Sequence, residues 1–228
     1  MDQAFSLNYF NRVGKIELCR LIFAAAGVDF TDNCNVEKSS DSDIQEGFEP
    51  YLKVDHTHIP CVSVISRYLA REFNLAGKTN LEQAKCDAIS QNVTLLIDRY
   101  YRDIDEVEDI DSKRVALKNY MENDLPNTAG ICEKLIEKYC EKNPKNEGRV
   151  ICQGYCVGNE LTYADLFVYE MVSKYFPNDS DDLPQRYPNL YAVQTRVQSL
   201  ASIETFNRTN KNLTPTFSKN SINDLNEQ

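Results

Sequence analysis

Between residues 5 and 27 the spacing of apolar side chains changes from two to that of a helix. Phe5, Leu7 and Tyr9 alternate with polar residues, the pattern of a half-buried strand. Residues 11–14, Asn-Arg-Val-Gly, read as a turn. Ile16, Cys19, Ile22, Phe23 and Ala26 then follow helical spacing, and Gly27 stands where a left-handed C-cap belongs. A strand that runs into an amphipathic helix commits the chain to a sheet with helices packed on it. It also puts Tyr9 at a strand end beside a helix start. Helix starts carry unpaired N–H groups and favour negative charge. A phenol there is placed to hold a thiolate or another anion.

The next segments extend that domain. Residues 28–36 give a second strand, parallel to the first after the helical crossover. Residues 37–49 are polar and acidic and read as a loop with one short helix. Residues 50–55 make a third strand, and His56 and Thr57 turn it into a short fourth at His58 and Ile59. Val64, Ile65, Tyr68, Leu69 and Phe73 mark a helix over residues 63–73. Residues 74–80 read as a linker, with Gly77 ending one helix and Asn80 capping the next.

From Leu81 onward the pattern is helical. One long helix covers residues 81–101. Residues 103–111 hold six acids in nine positions and read as a solvated loop, without the spacing of a calcium loop. A second long helix, bent near Pro126, covers 113–142, and 143–148 is a loop. Thr162-Tyr163-Ala164-Asp165 then sets a capping box, with Leu161 and Leu166 as its hydrophobic staple. Residues 209–228 are polar, carry Pro215, lack periodicity and read as a mobile tail.

Composition narrows the partners. The 228 residues carry a net charge of −10, which argues against nucleic acid or an anionic membrane. No run of 18 apolar residues occurs, and residues 1–4 lack a basic, apolar leader, so a cytoplasmic protein is expected. Eight cysteines without a CxxC pair read as free thiols of a reducing compartment. Cys152 and Cys156 lie four apart, but His56 and His58 are remote in sequence, so no metal is expected.

Three motifs carry a wider likeness: Tyr9-Phe10-Asn11 with Gly14-Lys15, Glu17 and Arg20, closing in Ala25-Ala26-Gly27; Arg67-Tyr68-Leu69-Ala70-Arg71-Glu72-Phe73; and Gly158 followed by Leu161-Thr162-Tyr163-Ala164-Asp165. Over about residues 4–208 the chain resembles sigma-class glutathione transferases and their relatives, the cephalopod S-crystallins. The resemblance implies an α/β plus all-α protein. A thioredoxin-like domain at 1–76 would be followed by a helical-bundle domain at 81–208, assembled as a homodimer. It implies glutathione as co-substrate, no metal, a small hydrophobic electrophile as second substrate, and Tyr9 as the catalytic donor to the thiolate. An apolar pocket between Tyr9, Tyr100, Tyr101 and the second domain would hold the electrophile.

The remaining glutathione contacts implied by the resemblance fall on altered residues. The first-helix arginine is Lys15, which keeps the charge and loses the planar fork. A cis-proline would open the third strand at Pro50, leaving acidic Glu49 beside an anionic ligand; Pro60 is the alternative. The family's Gln-Ser pair falls on Cys61 and Val62, or, with a slip of one residue, brings Ser63 to the serine place. Leu95 falls where an acid would reach across the dimer. Three readings stay open: conjugation through a weakened glutathione site, a crystallin-like or scaffold protein that keeps the fold, and thiol exchange at Cys61.

Overall fold

The computed structural model describes residues 4–9, 14–34, 50–141, 151–177 and 181–209. Four strands, β1 (Phe5–Tyr9), β2 (Thr31–Cys34), β3 (Tyr51–Val54) and β4 (Thr57–Pro60), form one sheet in the order β2-β1-β3-β4. β1 runs parallel to β2, with Leu7 opposite Asp32 and Tyr9 opposite Cys34. β3 runs antiparallel to both β1 and β4. The parallel crossover is α1 (Ile16–Ala26). It ends as its sequence dictates: Gly27 adopts φ +66°, and the amides of Gly27 and Val28 return to the carbonyls of Ala24 and Phe23.

Alternation along β1 sends Phe5, Leu7 and Tyr9 into the core. Phe5 meets Phe23 of α1 edge-on, with ring centroids 5.6 Å apart, and meets Phe73 at 5.5 Å. The polar residues of β1 are tied in a ladder, in which the Asn33 amide donates to Ser6 Oγ at 3.0 Å and to Asn8 Oδ1 at 2.9 Å. That bonding lets Asn8 stay buried. α2 (Val62–Glu72) packs beside α1, where Cys19 Sγ and Ser66 Oγ lie 3.4 Å apart.

The segment joining the two halves is anchored. Leu75 and Ala76 are buried, and the Leu75 carbonyl accepts from the Tyr163 amide at 2.8 Å. Thr79, rather than Asn80, caps α3 (Asn80–Tyr100), because Glu82 stands three residues beyond it and completes a capping box.

The acidic stretch after α3 departs from the expected loop. The helix continues as a π turn over Tyr101–Asp105, held by buried Ile104, and α4 (Ile110–Asn119) starts at the Asp109 cap. Only 106–109 lie between them. A second π turn, Tyr120–Asp124, joins α4 to α5 (Leu125–Tyr139), with Pro126 in the first turn of α5, where its missing N–H costs nothing. The chain then forms α6 (Tyr163–Glu170), a π turn at Met171–Tyr175, and α7 (Leu183–Arg186), α8 (Pro188–Gln198) and α9 (Ala201–Thr209). The loops expected at 37–49 and 143–148, and all but the first residue of the tail expected at 209–228, lie outside the described residues.

Two carboxylates organise the helical half. Asp165, fully buried, accepts from the Cys156 amide at 2.5 Å, the Thr162 amide at 2.6 Å and the Thr162 hydroxyl at 3.0 Å. Burial pushes its carboxyl up to about 6 against these donors. Glu133 of α5 caps α8, accepting from the amides of Asn189 and Leu190, each at 3.0 Å, and from Asn189 Nδ2 at 2.8 Å. Asp165→Ala, which strands three buried donors, should lower the unfolding free energy by about 3–5 kcal/mol in urea titration, against about 1 kcal/mol for Thr162→Ala.

Candidate functional site

Tyr9 ends β1 with its ring buried, and the Asp32 carboxylate of the neighbouring strand lies near its hydroxyl. Burial first, then the negative charge of Asp32, pushes the phenol well above its ordinary range. From Asp32 a chain of ion pairs leads through the interface between the two halves. Arg20 Nε lies 3.0 Å from Asp32, and its other guanidinium nitrogen 2.9 Å from Glu17. Glu17, 1% exposed, is reached from the helical half by Lys174 Nζ at 3.2 Å, and Lys174 also pairs with Glu170 at 2.9 Å. The Arg20 guanidinium carbon stands 5.7 Å from the ring centroid of Phe206 in α9. Glu17 and Arg20 are three apart on one helix, a readable pair; only the parallel register of β2 brings Asp32 to them.

Beside Tyr9 lies a cavity of about 650 Å³ between the two halves. Tyr9, Lys15, Pro50, Cys61, Val62 and Ser63 line it from the strand-bearing side. Thr94, Asp98, Tyr101, Arg102 and Glu106 face them. Tyr9 and the described glutathione-site candidates therefore converge on one cleft; Glu49 lies outside the described residues. Pro50 lines the cavity and its carbonyl accepts from the Cys61 amide at 3.2 Å, whereas Pro60 sits within β4 opposite Tyr51. Cys61 precedes α2 with φ +72°, a strained conformation for a residue with a Cβ. The helix-start amides of Val62 and Ser63 have no earlier partner within the helix.

Lys15 forms an ion pair with Asp98 across the cleft. Asp98, Arg102 and Glu106 were not legible as site residues, because an acid-rich stretch ordinarily marks a solvated face. Tyr100 differs from expectation. It is buried among Tyr101, Tyr120 and Tyr175, with ring centroids 5.2–5.7 Å away, and only Tyr101 reaches the cleft. Gly14 makes room for it: a Cβ there would stand 3.2 Å from the Tyr101 ring. Leu95 is half exposed and lies away from this cleft, on a groove between α3 and α5.

This arrangement offers a ligand amides at a helix start, a cation already paired, and a buried phenol with a carboxylate nearby. A phenol has one hydrogen to give. A thiolate held by that hydrogen would stand near Asp32, whose charge disfavours a second negative charge.

A four-stranded mixed sheet flanked by helices, closed by a helical half with a cleft between, is the glutathione transferase architecture. The model of the glutathione S-transferase C-terminal domain matches residues 100–210. An S-crystallin of Enteroctopus dofleini is 32% identical over 213 residues, covering 86% of this chain and 92% of its own. The hematopoietic prostaglandin D synthase of Gallus gallus is 31% identical over 203 residues, covering 87% and 92%. The solved structure of a Nu-class glutathione transferase from Haemonchus contortus superposes with a TM-score of 0.71 at 28% identity, covering 91% of this chain and 97% of that one. The chain belongs to the glutathione S-transferase family. No described helix is long and apolar enough to cross a membrane, and no group of three metal-ligating side chains forms among the described residues.

The interface chain should report itself through pH. Burial pushes the Glu170 carboxyl from its ordinary 4.5 up to about 7, although Lys174 pulls it down. A carboxyl raised in the folded state gives stability that is fully present below about pH 4.5 and is lost as pH rises through about 7. Glu170→Gln cannot titrate. Measured by urea unfolding, wild type should therefore lose about 1–3 kcal/mol relative to this variant across that window.

Proposed function

We propose that this protein is a sigma-class-like glutathione transferase with a weakened glutathione site, acting in the cytoplasm as a homodimer on small hydrophobic electrophiles. In this reading residues 1–76 hold glutathione and residues 81–208 supply the electrophile wall, with 209–228 as a tail. The observation that carries it is the shared cleft: Tyr9, Pro50, Cys61, Val62 and Ser63 surround one space between the two halves. A thiol is only a few per cent ionised at neutral pH, so a donor aimed at sulfur raises the reactive fraction. Tyr9 is that donor. The helix-start amides at Val62 and Ser63 receive the γ-glutamyl carboxylate, with Ser63 the hydroxyl on offer. The family names among the relatives, transferase and prostaglandin D synthase, support the enzymatic side.

A second reading has its own observation. The Tyr9 phenol is buried near the Asp32 charge, Lys15 is engaged by Asp98, and Cys61 and Val62 offer neither the amide nor the hydroxyl of a Gln-Ser pair. Each lost polar contact costs about 0.5–1.5 kcal/mol, so two together weaken glutathione by about 5–100-fold. The S-crystallin relatives fit a protein retained for its fold.

Conjugation of glutathione to an aromatic electrophile separates the two. In the enzymatic reading Tyr9→Phe lowers kcat/KM by about 10–100-fold, and Asp32→Asn, which removes the negative charge beside the phenol, raises it about 3–10-fold. Background rates shared by wild type and both variants leave only the scaffold reading.

A further inference from the structure

Both cations among the described residues that line the cleft are held by acids of the helical half. Arg102 is taken up by its neighbour, with Nε 2.6 Å and Nη2 2.7 Å from the Asp103 carboxylate. Lys15, at the start of α1, reaches across the cleft to Asp98 in the last turn of α3. The two side chains are 40% and 36% exposed. A pair this open to solvent adds little to stability. It does change the charge that the cleft presents, because an ammonium already facing a carboxylate attracts an incoming one less.

Asp98 is placed by a docking that does not involve Lys15. Asp87, Gln91, Thr94 and Asp98 follow one another at spacings of four, three and four, so they share one face of α3. At one end of that face stands Arg67 of α2. Its Nε lies 3.3 Å from Asp87 Oδ1, and its Nη2 donates to Gln91 Oε1 at 3.1 Å. The Tyr163 hydroxyl of α6 donates to the same Asp87 carboxylate. At the other end Thr94 and Asp98 line the cleft. Removing the Asp98 charge therefore leaves this wall anchored where it was.

We propose that Asp98 is a specificity-determining residue of the cleft: by facing Lys15 it cancels the positive charge that would draw a carboxylate-bearing ligand, and so disfavours anions against neutral molecules of the same shape. For glutathione, whose carboxylates are the groups at stake, the consequence rests on the transferase reading above. The effect on the charge of the cleft does not, because Cys61 lines the same cavity with an exposed thiol that reports it directly.

The test alkylates the folded full chain with iodoacetate, an anion, and with iodoacetamide, its neutral counterpart, and compares their rates at Cys61 by peptide mass spectrometry. Cys34, exposed and outside the cleft lining, is the reference in the same sample. In Asp98→Asn the iodoacetate-to-iodoacetamide ratio at Cys61 rises about 3–10-fold at low ionic strength, and in Lys15→Gln it falls about as far. The double variant returns to the wild-type ratio, and about 1 M salt, with a screening length of about 3 Å, removes the differences. Calorimetric titration is the second arm. Glutathione binds Asp98→Asn about 2–5-fold more tightly than wild type, and the gain is lost when Lys15→Gln is added. The diethyl ester of glutathione, which has no charged carboxylate, gains nothing. A Cys61 ratio unmoved by Asp98→Asn, an equal change at Cys34, or an equal gain for the ester would overturn the proposal. A shifted Cys61 ratio with no glutathione bound by any of the proteins upholds the charge role of Asp98 and retires the transferase reading instead.

Discussion

Glu17 is the charge on which the assembly of the two halves depends. It is an acid in the first turn of an apolar helix, with almost no solvent contact. Leaving it ionised and unpaired in that setting would cost several kcal/mol. Arg20 from its own helix and Lys174 from the helical half supply the compensating charge. The helical half thus completes the electrostatics of the strand-bearing half, and neither partner of this interface is neutral without the other. Glu170, taking up part of Lys174, adds a second acid to the same interior and is itself raised toward neutrality by burial.

The same chain reaches the candidate site. Arg20 shares its guanidinium between Glu17 and Asp32, and the Asp32 charge bears on the hydroxyl of Tyr9. The residue on which thiolate chemistry would turn is therefore coupled through charge to the contact that joins the halves. This gives a physical form to the choice between enzyme and scaffold. The fold needs Arg20 and Asp32 where they are; conjugation needs the phenol proton to be free. A small shift in where Tyr9 directs its hydroxyl moves the protein from one role toward the other without altering the architecture. The helical half has its own buried organisation, in which Glu133 and Asp165 gather loop backbone around two helix starts.

Much of this was legible in the residues. The alternation of Phe5, Leu7 and Tyr9, the helix closing at Gly27, and the box between Thr162 and Asp165 are local patterns, and local physics decides them. The acidic stretch misled, because charge density alone cannot reveal that Ile104 is buried and carries the helix on as a π turn. Tyr100 and Tyr101 are neighbours of the same type, and only packing against Tyr120 and Tyr175 separates the core tyrosine from the cleft tyrosine.

What the amino-acid sequence by itself determined is the set of elements, their caps and the family to which they belong, because these follow from short-range periodicity and from motifs read along the chain. What only the tertiary structure decided is which charges meet. Asp32 reaches Arg20 through a parallel strand register, Lys174 reaches Glu17 across 157 residues, and the Cys152 amide reaches Asn189 of α8. Such contacts cost chain entropy that rises only slowly with separation, so sequence distance neither forbids nor announces them. Their strength comes from a buried setting that exists only once the chain has folded.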